Sequence, residues 1–258
     1  MELTRDNYFS TEMSRKYCGS SQFKNFMKCP AMAMAVIEGR WQEPKTLPLL
    51  IGGYVDAYFE GTLARFLQEN PEVYSRNGKL KAPFVHADYI INRITSDDLF
   101  MRYMSGEKQV IRTGIIAGVP FKIRIDSYHA KKALVDLKVI KNFDPILNEE
   151  KGVKEDFIHH WGYDIQAAIY QAVEGDSLPF YIAAATKEDE PDFAVIHMPQ
   201  TWIDSAYHFI ENEVGLIQAT KDGDIPAHRC EKCAYCRATK KLSRVISAED
   251  LIVEREGE

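Results

Sequence analysis

Asp126, Asp136 and Lys138 are the residues whose types and spacing could do chemistry. Asp126 closes the run KIRID, and the run LVDLKV that follows carries Asp136 and Lys138. Both runs are rich in Ile, Leu and Val and read as strands. Side chains alternate along a strand, so Asp136 and Lys138 share one face while Leu137 points into apolar packing on the other. If the two strands are hairpin partners, Asp126 stands beside Asp136. Two carboxylates that close either raise one pKa or hold a divalent cation, and Lys138 beside them suits contact with an anion or a bound water. A solvated strand face of alternating charge is the plain alternative, but the flanks are those of a central strand, where an acid and a base on one face are uncommon.

Three further groups carry polar chemistry at ordered spacings. In HHWGYDIQAAIYQAVEG, steps of three and four place Tyr163, Gln166 and Tyr170 on one helical face. In IGGYVDAYFEG, Asp56 and Glu60 stack one turn apart, beneath two glycines that permit close backbone approach. Near the end, Cys230, Cys233 and Cys236 follow C-x2-C-x2-C, a spacing that lets three thiolates converge on one centre. The full count of five cysteines is odd, which fits a reducing compartment better than a disulfide framework.

The elements that must position these residues change character along the chain. Segments 20–40, 47–69 and 88–104 read as helices, the first interrupted by Pro30, so the first hundred residues are mostly helical. Segments 109–116, 119–127 and 132–139 read as three strands joined by tight turns, an antiparallel meander. A charged loop over 145–156 precedes a helix at 159–174, strands at 180–186 and 193–198, and a helix at 199–219. This order predicts one α/β unit over 1–247: a helical N-terminal part to 105, a core over 106–220 built on a central mixed sheet with the meander, and a Cys-rich segment over 221–247. Residues 248–258 read as a frayed acidic tail.

Composition sets the outer bounds. The chain has 258 residues, 45% of them hydrophobic and 27% charged, the make-up of an ordinary globular protein. No stretch approaches the ~20 apolar residues that cross a bilayer, and none near the start resembles a signal peptide. A cytoplasmic setting without membrane attachment is the expectation. Net charge is −6, so a nucleic-acid partner would have to meet a local basic surface. Two windows offer one. Residues 119–143 carry six Lys or Arg against two acids, which are Asp126 and Asp136 themselves, and 227–244 carry six against one. Lys122, Arg124, Lys131, Lys132 and Lys141 in the first and Arg237, Lys240 and Lys241 in the second are candidates for phosphate contact.

The series D-x9-D-x-K on a meander, after a helix with an acidic face and before a helix with Q-x3-Y, resembles the PD-(D/E)xK nuclease superfamily, in its RecB-like branch. It is most similar to the phage-type RecE, or exonuclease VIII, DNA exonucleases. The likeness runs from SSQFKNFMKCP to RCEKCAYCRATKKL. It implies a restriction-endonuclease-like core in which Asp126 and Asp136 bind Mg²⁺ or Mn²⁺, Lys138 orients or activates water, and Gln166 and Tyr170 support the lysine or the DNA. The carbonyl of Leu137 would complete an oxygen ligand set. Such proteins usually carry a histidine on the first helix, where this chain has Asp56 with Glu60 a turn on; either acid can supply the missing oxygen. The resemblance also implies 5′-to-3′ resection of double-stranded DNA ends in phage recombination, a RecT-type single-strand annealing partner and a homo-oligomeric ring. A RecB-like nuclease for single strands or flaps, and an inactive DNA-binding module organised by the cysteines, are the competing readings. Cys29, in FMKCPA, resembles the distant N-terminal cysteine that AddB-type relatives contribute to a [4Fe-4S] cluster. Zn²⁺ on the same four cysteines, or on the C-terminal three with His228, is the alternative.

Overall fold

The computed structural model describes residues 2–149 and 151–249; the expected tail beyond 249 lies outside the described residues. Helices occupy the chain as far as Met104: α1 (Thr11–Lys16), α2 (Ser20–Lys28), α3 (Pro30–Ile37), α4 (Leu47–Glu60), α5 (Leu63–Glu69), α6 (Ala82–Thr95) and α7 (Asp98–Met104). The long helices read from the sequence are broken by identifiable residues. Cys29 is extended (φ −166°) and Pro30, which lacks an N–H, opens α3 in the first turn, where that loss costs nothing. Gly61 adopts φ 74° and ends α4, so 47–69 is two helices. The third begins earlier than expected, at Ala82, and is interrupted where the Asp97 carboxylate accepts the Phe100 N–H at 2.8 Å and caps α7.

The strands follow as a meander, β1 (Glu107–Ile116), β2 (Val119–His129) and β3 (Ala133–Ile140), each antiparallel to the one before. Ala117 and Gly118 take φ of 46° and 83°, the left-handed pair that a tight hairpin demands. The charged segment expected as a loop contains a small hairpin, β4 (Ile146–Asn148) with β5 (Val153–Glu155). Then α8 (Phe157–His160) and α9 (Tyr163–Glu174) form the crossover that brings β6 (Phe180–Thr186) parallel to β3. Finally β7 (Phe193–His197) pairs antiparallel with β6, and α10 (Gln200–Asp222) and α11 (Ala234–Ala238) close the described chain. The sheet order is β1-β2-β3-β6-β7, the mixed sheet with a meander and helical N-terminal region that the sequence predicts.

Two apolar cores sandwich the sheet. Phe23 of α2, Ala33 of α3, Ile169 of α9 and Ile210 of α10 belong to one, with Leu134 and Ile140 of β3. Val55 of α4, Ile90 of α6 and Phe100 of α7 belong to the other, with Val135 and Leu137. β3 therefore feeds both cores by strict alternation, and Asp136 and Lys138 fall on the α9 face. A third, smaller cluster joins α3 to α11 through Cys29, Met32, Tyr235 and Cys236.

Candidate active site

The β2–β3 ladder consists of Ser127 with Val135, Tyr128 with Leu134 and His129 with Ala133. One step further Asp126 would oppose Asp136, and there the backbone pairing stops. The Asp126 carboxylate takes over, its Oδ2 accepting the Leu137 N–H at 2.9 Å. Beyond it the freed edge of β2 is covered by Cys18, whose N–H donates to the Pro120 carbonyl and whose carbonyl accepts the Lys122 N–H, both at 2.8 Å. The strands part, and a cavity of about 600 Å³ opens that is lined by Asp56, Arg124, Asp126, Asp136, Lys138 and Gln166 among others.

Asp136 is 3% exposed. Its Oδ1 accepts the Gln166 amide of α9. Its Oδ2 is buried and ion-paired with the Lys138 ammonium. Burial works against that ammonium, but Asp136 and then Asp126 outweigh it and hold the Lys138 pKa above the ordinary lysine range. The ammonium also reaches the Leu137 carbonyl at 3.4 Å and lies 5.0 Å from the Tyr163 ring centre. Burial, then Asp136, push Asp126 up to about 6, against Lys138, the Leu137 N–H and the Gln109 amide at 3.1 Å. Asp56 is raised well above the usual carboxylate range, first by burial and next by Asp126.

Three carboxylates crowd around the Lys138 ammonium on one cavity wall. Raised carboxylates are the expected result of such crowding, and a cation in their midst would relieve it. The donors are all oxygen, from Asp56, Asp126, Asp136 and the Leu137 carbonyl, and they suit a hard divalent ion such as Mg²⁺ or Mn²⁺.

The two first-helix acids share a side pocket with Asp126, Phe59 and Met104, but Asp56 alone also lines the main cavity; Glu60 Oε1 is 3.7 Å from the Arg124 guanidinium and its Oε2 accepts the Thr62 hydroxyl at 3.3 Å. Gln166 holds Asp136 rather than the lysine, and Tyr170 donates its hydroxyl to the Arg124 carbonyl at 2.9 Å, bracing β2 beside the cavity. Of the glycines above Asp56, Gly53 is the one with a tight neighbour: a Cβ there would meet the Phe66 ring at 3.0 Å.

The cations expected on a phosphate track are scattered. Lys122 is corrected outright: it is buried, its ammonium donates to the Tyr8 carbonyl, and the N-terminal segment covers it. Arg124 stands in the cavity lining. Lys131 and Lys132 are exposed in the β2–β3 turn, Lys141 is exposed just past β3, and Arg237, Lys240 and Lys241 are exposed in and after α11. Sequence reasoning missed Tyr8 and Phe9, which line the cavity from the N-terminal segment, and Gln109, whose φ of 56° turns its amide toward Asp126. It also missed Lys24 of α2, which donates to the Trp161 carbonyl at 3.0 Å beside Tyr163.

The cysteines converge. The sulfurs of Cys29, Cys230, Cys233 and Cys236 all lie within 4.8 Å of one another, with Cys29 to Cys236 at 3.6 Å, and four thiols so placed can hold a metal ion. The Cys233 N–H donates to Cys230 Sγ at 3.3 Å, and the Cys236 N–H to Cys233 Sγ at 3.4 Å. Burial opposes ionisation of Cys230, yet the N–H groups of Cys233 and Lys232 bring it down to about 6. The set with His228 in place of Cys29 is not the one assembled. The backbone carbonyl of His228 accepts the Ala31 N–H at 2.9 Å, and Cys29 completes the group.

The crystal structure of a candidate exonuclease from Eubacterium rectale superposes with a TM-score of 0.93 at 42% identity, covering 97% of this chain and 98% of that one. A second structure, SSO0001, aligns at a TM-score of 0.30 and 14% identity over 87% of this chain and 96% of that one, too slight a likeness to inform the fold. Among proteins with curated descriptions, none matches the chain. Residues 19–239 match the family described as a PDDEXK-like domain of unknown function, DUF3799, a span that holds Asp56, Asp126, Asp136, Lys138 and all four converging cysteines. The chain belongs to that family and has the restriction-endonuclease-like core of the PD-(D/E)xK superfamily.

Proposed function

We propose that the protein is a Mg²⁺-dependent exodeoxyribonuclease that hydrolyses phosphodiester bonds at double-stranded DNA ends. The observation that carries this reading is the meeting of Asp56, Asp126, Asp136 and Lys138 on one cavity where β2 and β3 part. When bound, a divalent cation supplies positive charge to the phosphate and makes water a better nucleophile. The chain's own groups do the rest. Lys138, kept protonated by Asp136 and Asp126, stabilises charge growing on the phosphate. Gln166 and the Leu137 N–H fix the orientations of Asp136 and Asp126. Arg124, in the cavity lining, can pair with a backbone phosphate.

The likeness to the Eubacterium rectale protein supports an end-directed mode. The RecE-like pattern supports 5′-to-3′ polarity, a role in phage recombination, a RecT-type annealing partner and a ring-shaped oligomer. A cytoplasmic site of action fits both, and among the described residues no helix is long and apolar enough to cross a membrane.

For the cysteines we favour one structural Zn²⁺. Four ligands at the usual Zn–S length of about 2.3 Å, placed tetrahedrally, put their sulfurs roughly 3.8 Å apart, in keeping with separations of 3.6 and 4.0 Å between Cys236 and its neighbours Cys29 and Cys230. A [4Fe-4S] cluster spreads its thiolates over four irons and needs a wider cage.

End-labelled linear duplex and covalently closed circular DNA, each incubated with Mg²⁺ and with EDTA, test the reading. Progressive loss of the linear substrate alone, only with the metal, is expected. Equal cutting of the circle sinks the end-directed mode, and no cleavage with Mg²⁺ or Mn²⁺ sinks the nuclease.

A further inference from the structure

Phe9 is 73% exposed, although the chain on both sides of it is fixed. Tyr8 before it is buried; its carbonyl accepts the Lys122 ammonium, which also lies 4.6 Å from its ring centre. Ser10 after it caps α1, accepting the Met13 N–H at 3.3 Å. The Phe9 ring itself meets the Tyr8 ring edge-on at 5.0 Å and carries the Arg124 guanidinium 5.0 Å from its centre. An apolar ring is thus held in solvent by a rigid backbone and a stacked cation. A lone exposed aromatic needs no explanation, but this one lines the same cavity as the carboxylates. Arg124, which braces it, stands two residues before Asp126 on one face of β2, a step of roughly 6–7 Å.

Given the nuclease reading above, on which this rests, we infer that Phe9, backed by Tyr8 and Arg124, is a stacking platform for the terminal nucleobase of the strand being cut. Nucleobases of every kind offer a flat π-face, so such a platform binds without sequence preference. The guanidinium beside the ring adds cation–π attraction and a partner for the adjoining phosphate. Unstacking the end base onto Phe9 would draw the following phosphate toward Asp126 and Asp136. The ligand class is therefore an unpaired or fraying nucleotide end, and a duplex end enters by giving up its last pair.

The test uses the full chain and DNA ending in an unpaired 2-aminopurine next to an abasic spacer, so that this fluorophore, which stacking quenches, starts unstacked, with Ca²⁺ in place of Mg²⁺ to neutralise the cavity. Wild type and Phe9→Trp should quench it, and Phe9→Ala and Phe9→Leu should lose most of the quenching. With Mg²⁺, Phe9→Ala should lower kcat/KM about tenfold on ordinary ends. An abasic terminal nucleotide should cost the wild type the same factor and Phe9→Ala nothing. Quenching by Phe9→Ala equal to wild type, or the same abasic penalty in both proteins, overturns the platform. A wild type that quenches but never cuts refutes the nuclease reading and leaves the platform standing.

Discussion

The Asp126 carboxylate and the Leu137 backbone N–H are hydrogen-bonded at 2.9 Å across the point where the β2–β3 ladder ends. One oxygen satisfies a strand donor that would otherwise be orphaned at the opening of the sheet, while the carboxylate stays on the cavity wall beside Asp136. The cavity and the carboxylate on its wall thus have one cause: β2 leaves β3 where a side chain replaces a main-chain acceptor.

That arrangement costs stability when no cation is present. Asp126 has a folded-state pKa of about 6 against an ordinary 3.8, so the folded protein binds the proton more tightly than the unfolded chain. Its contribution is lost as pH rises from about 4 through about 6 and stays lost at neutral pH. Asp126→Asn keeps an acceptor for Leu137 and removes the charge. Gln109, whose Oε1 is buried without a donor, can turn its amide to accept from the new Nδ2. In EDTA at pH 7.5 the variant should be more stable by about 1–3 kcal/mol, a midpoint rise of roughly 2–6 °C in thermal melts. The gain should shrink at pH 5, and DNA cleavage should vanish. A lower melting point at pH 7.5 contradicts this account.

Lys138 is both the proposed charge stabiliser and the partner of a buried acid. Lys138→Met should lower cleavage by ~100-fold or more at saturating Mg²⁺. It should also lower stability by about 3–5 kcal/mol in EDTA, because Asp136 loses its counter-ion. Adding Asp136→Asn should return much of the stability and none of the activity, a coupling that a double-mutant cycle of melts and rates measures directly. Wild-type turnover in the single variant removes Lys138 from the mechanism.

Asp56 and Glu60 are one turn apart and share a side pocket, but Asp56 alone also lines the main cavity, and metal titration should tell them apart. Asp56→Asn is expected to shift the Mg²⁺ dependence of cleavage to higher concentration by about tenfold or more, with partial rescue by excess metal. Glu60→Gln, at the Arg124 ion pair, should change activity less than threefold, as exposed and half-exposed pairs usually do. The reverse pattern would make Glu60 the ligand.

Asp126, Asp136, Lys138 and Gln166 were legible because each lies on a regular element, where strand alternation and helical spacing say which side chains meet. Asp56 was legible as one of two, since spacing alone cannot rank residues on the same helical face. Lys122 was misread for the opposite reason: charge alternating with apolar residues reads as solvent-exposed, and the segment that covers it comes from more than a hundred residues away. Phe9 and Tyr8 lie in a turn with no period to interpret, so only tertiary placement reveals them. The break at Pro30 is readable because proline cannot continue a helix, whereas Gly61 ends α4 without interrupting the apolar pattern, so 47–69 reads as one helix.

The cysteine group ties the C-terminal segment to the junction of α2 and α3, and α2 begins at the cavity, with Ser20 and Ser21 in its lining. Loss of an ion held there should therefore be felt first as stability and only secondarily as catalysis. Purified protein should be colourless and hold about one zinc per chain by elemental analysis, because four thiolates satisfy one tetrahedral ion. Cys233→Ala should cut soluble yield sharply and lower the melting midpoint of what remains, since binding energy at such a site is folding energy, while the folded fraction keeps a substantial part of its Mg²⁺-dependent cleavage. Cys18→Ala, a buried cysteine outside the group, serves as the control for simple loss of packing and should retain full metal content. A brown protein with iron and sulfide would replace zinc by a cluster, and a Cys233→Ala variant as stable as wild type with no metal in either would mean that the four thiols hold nothing.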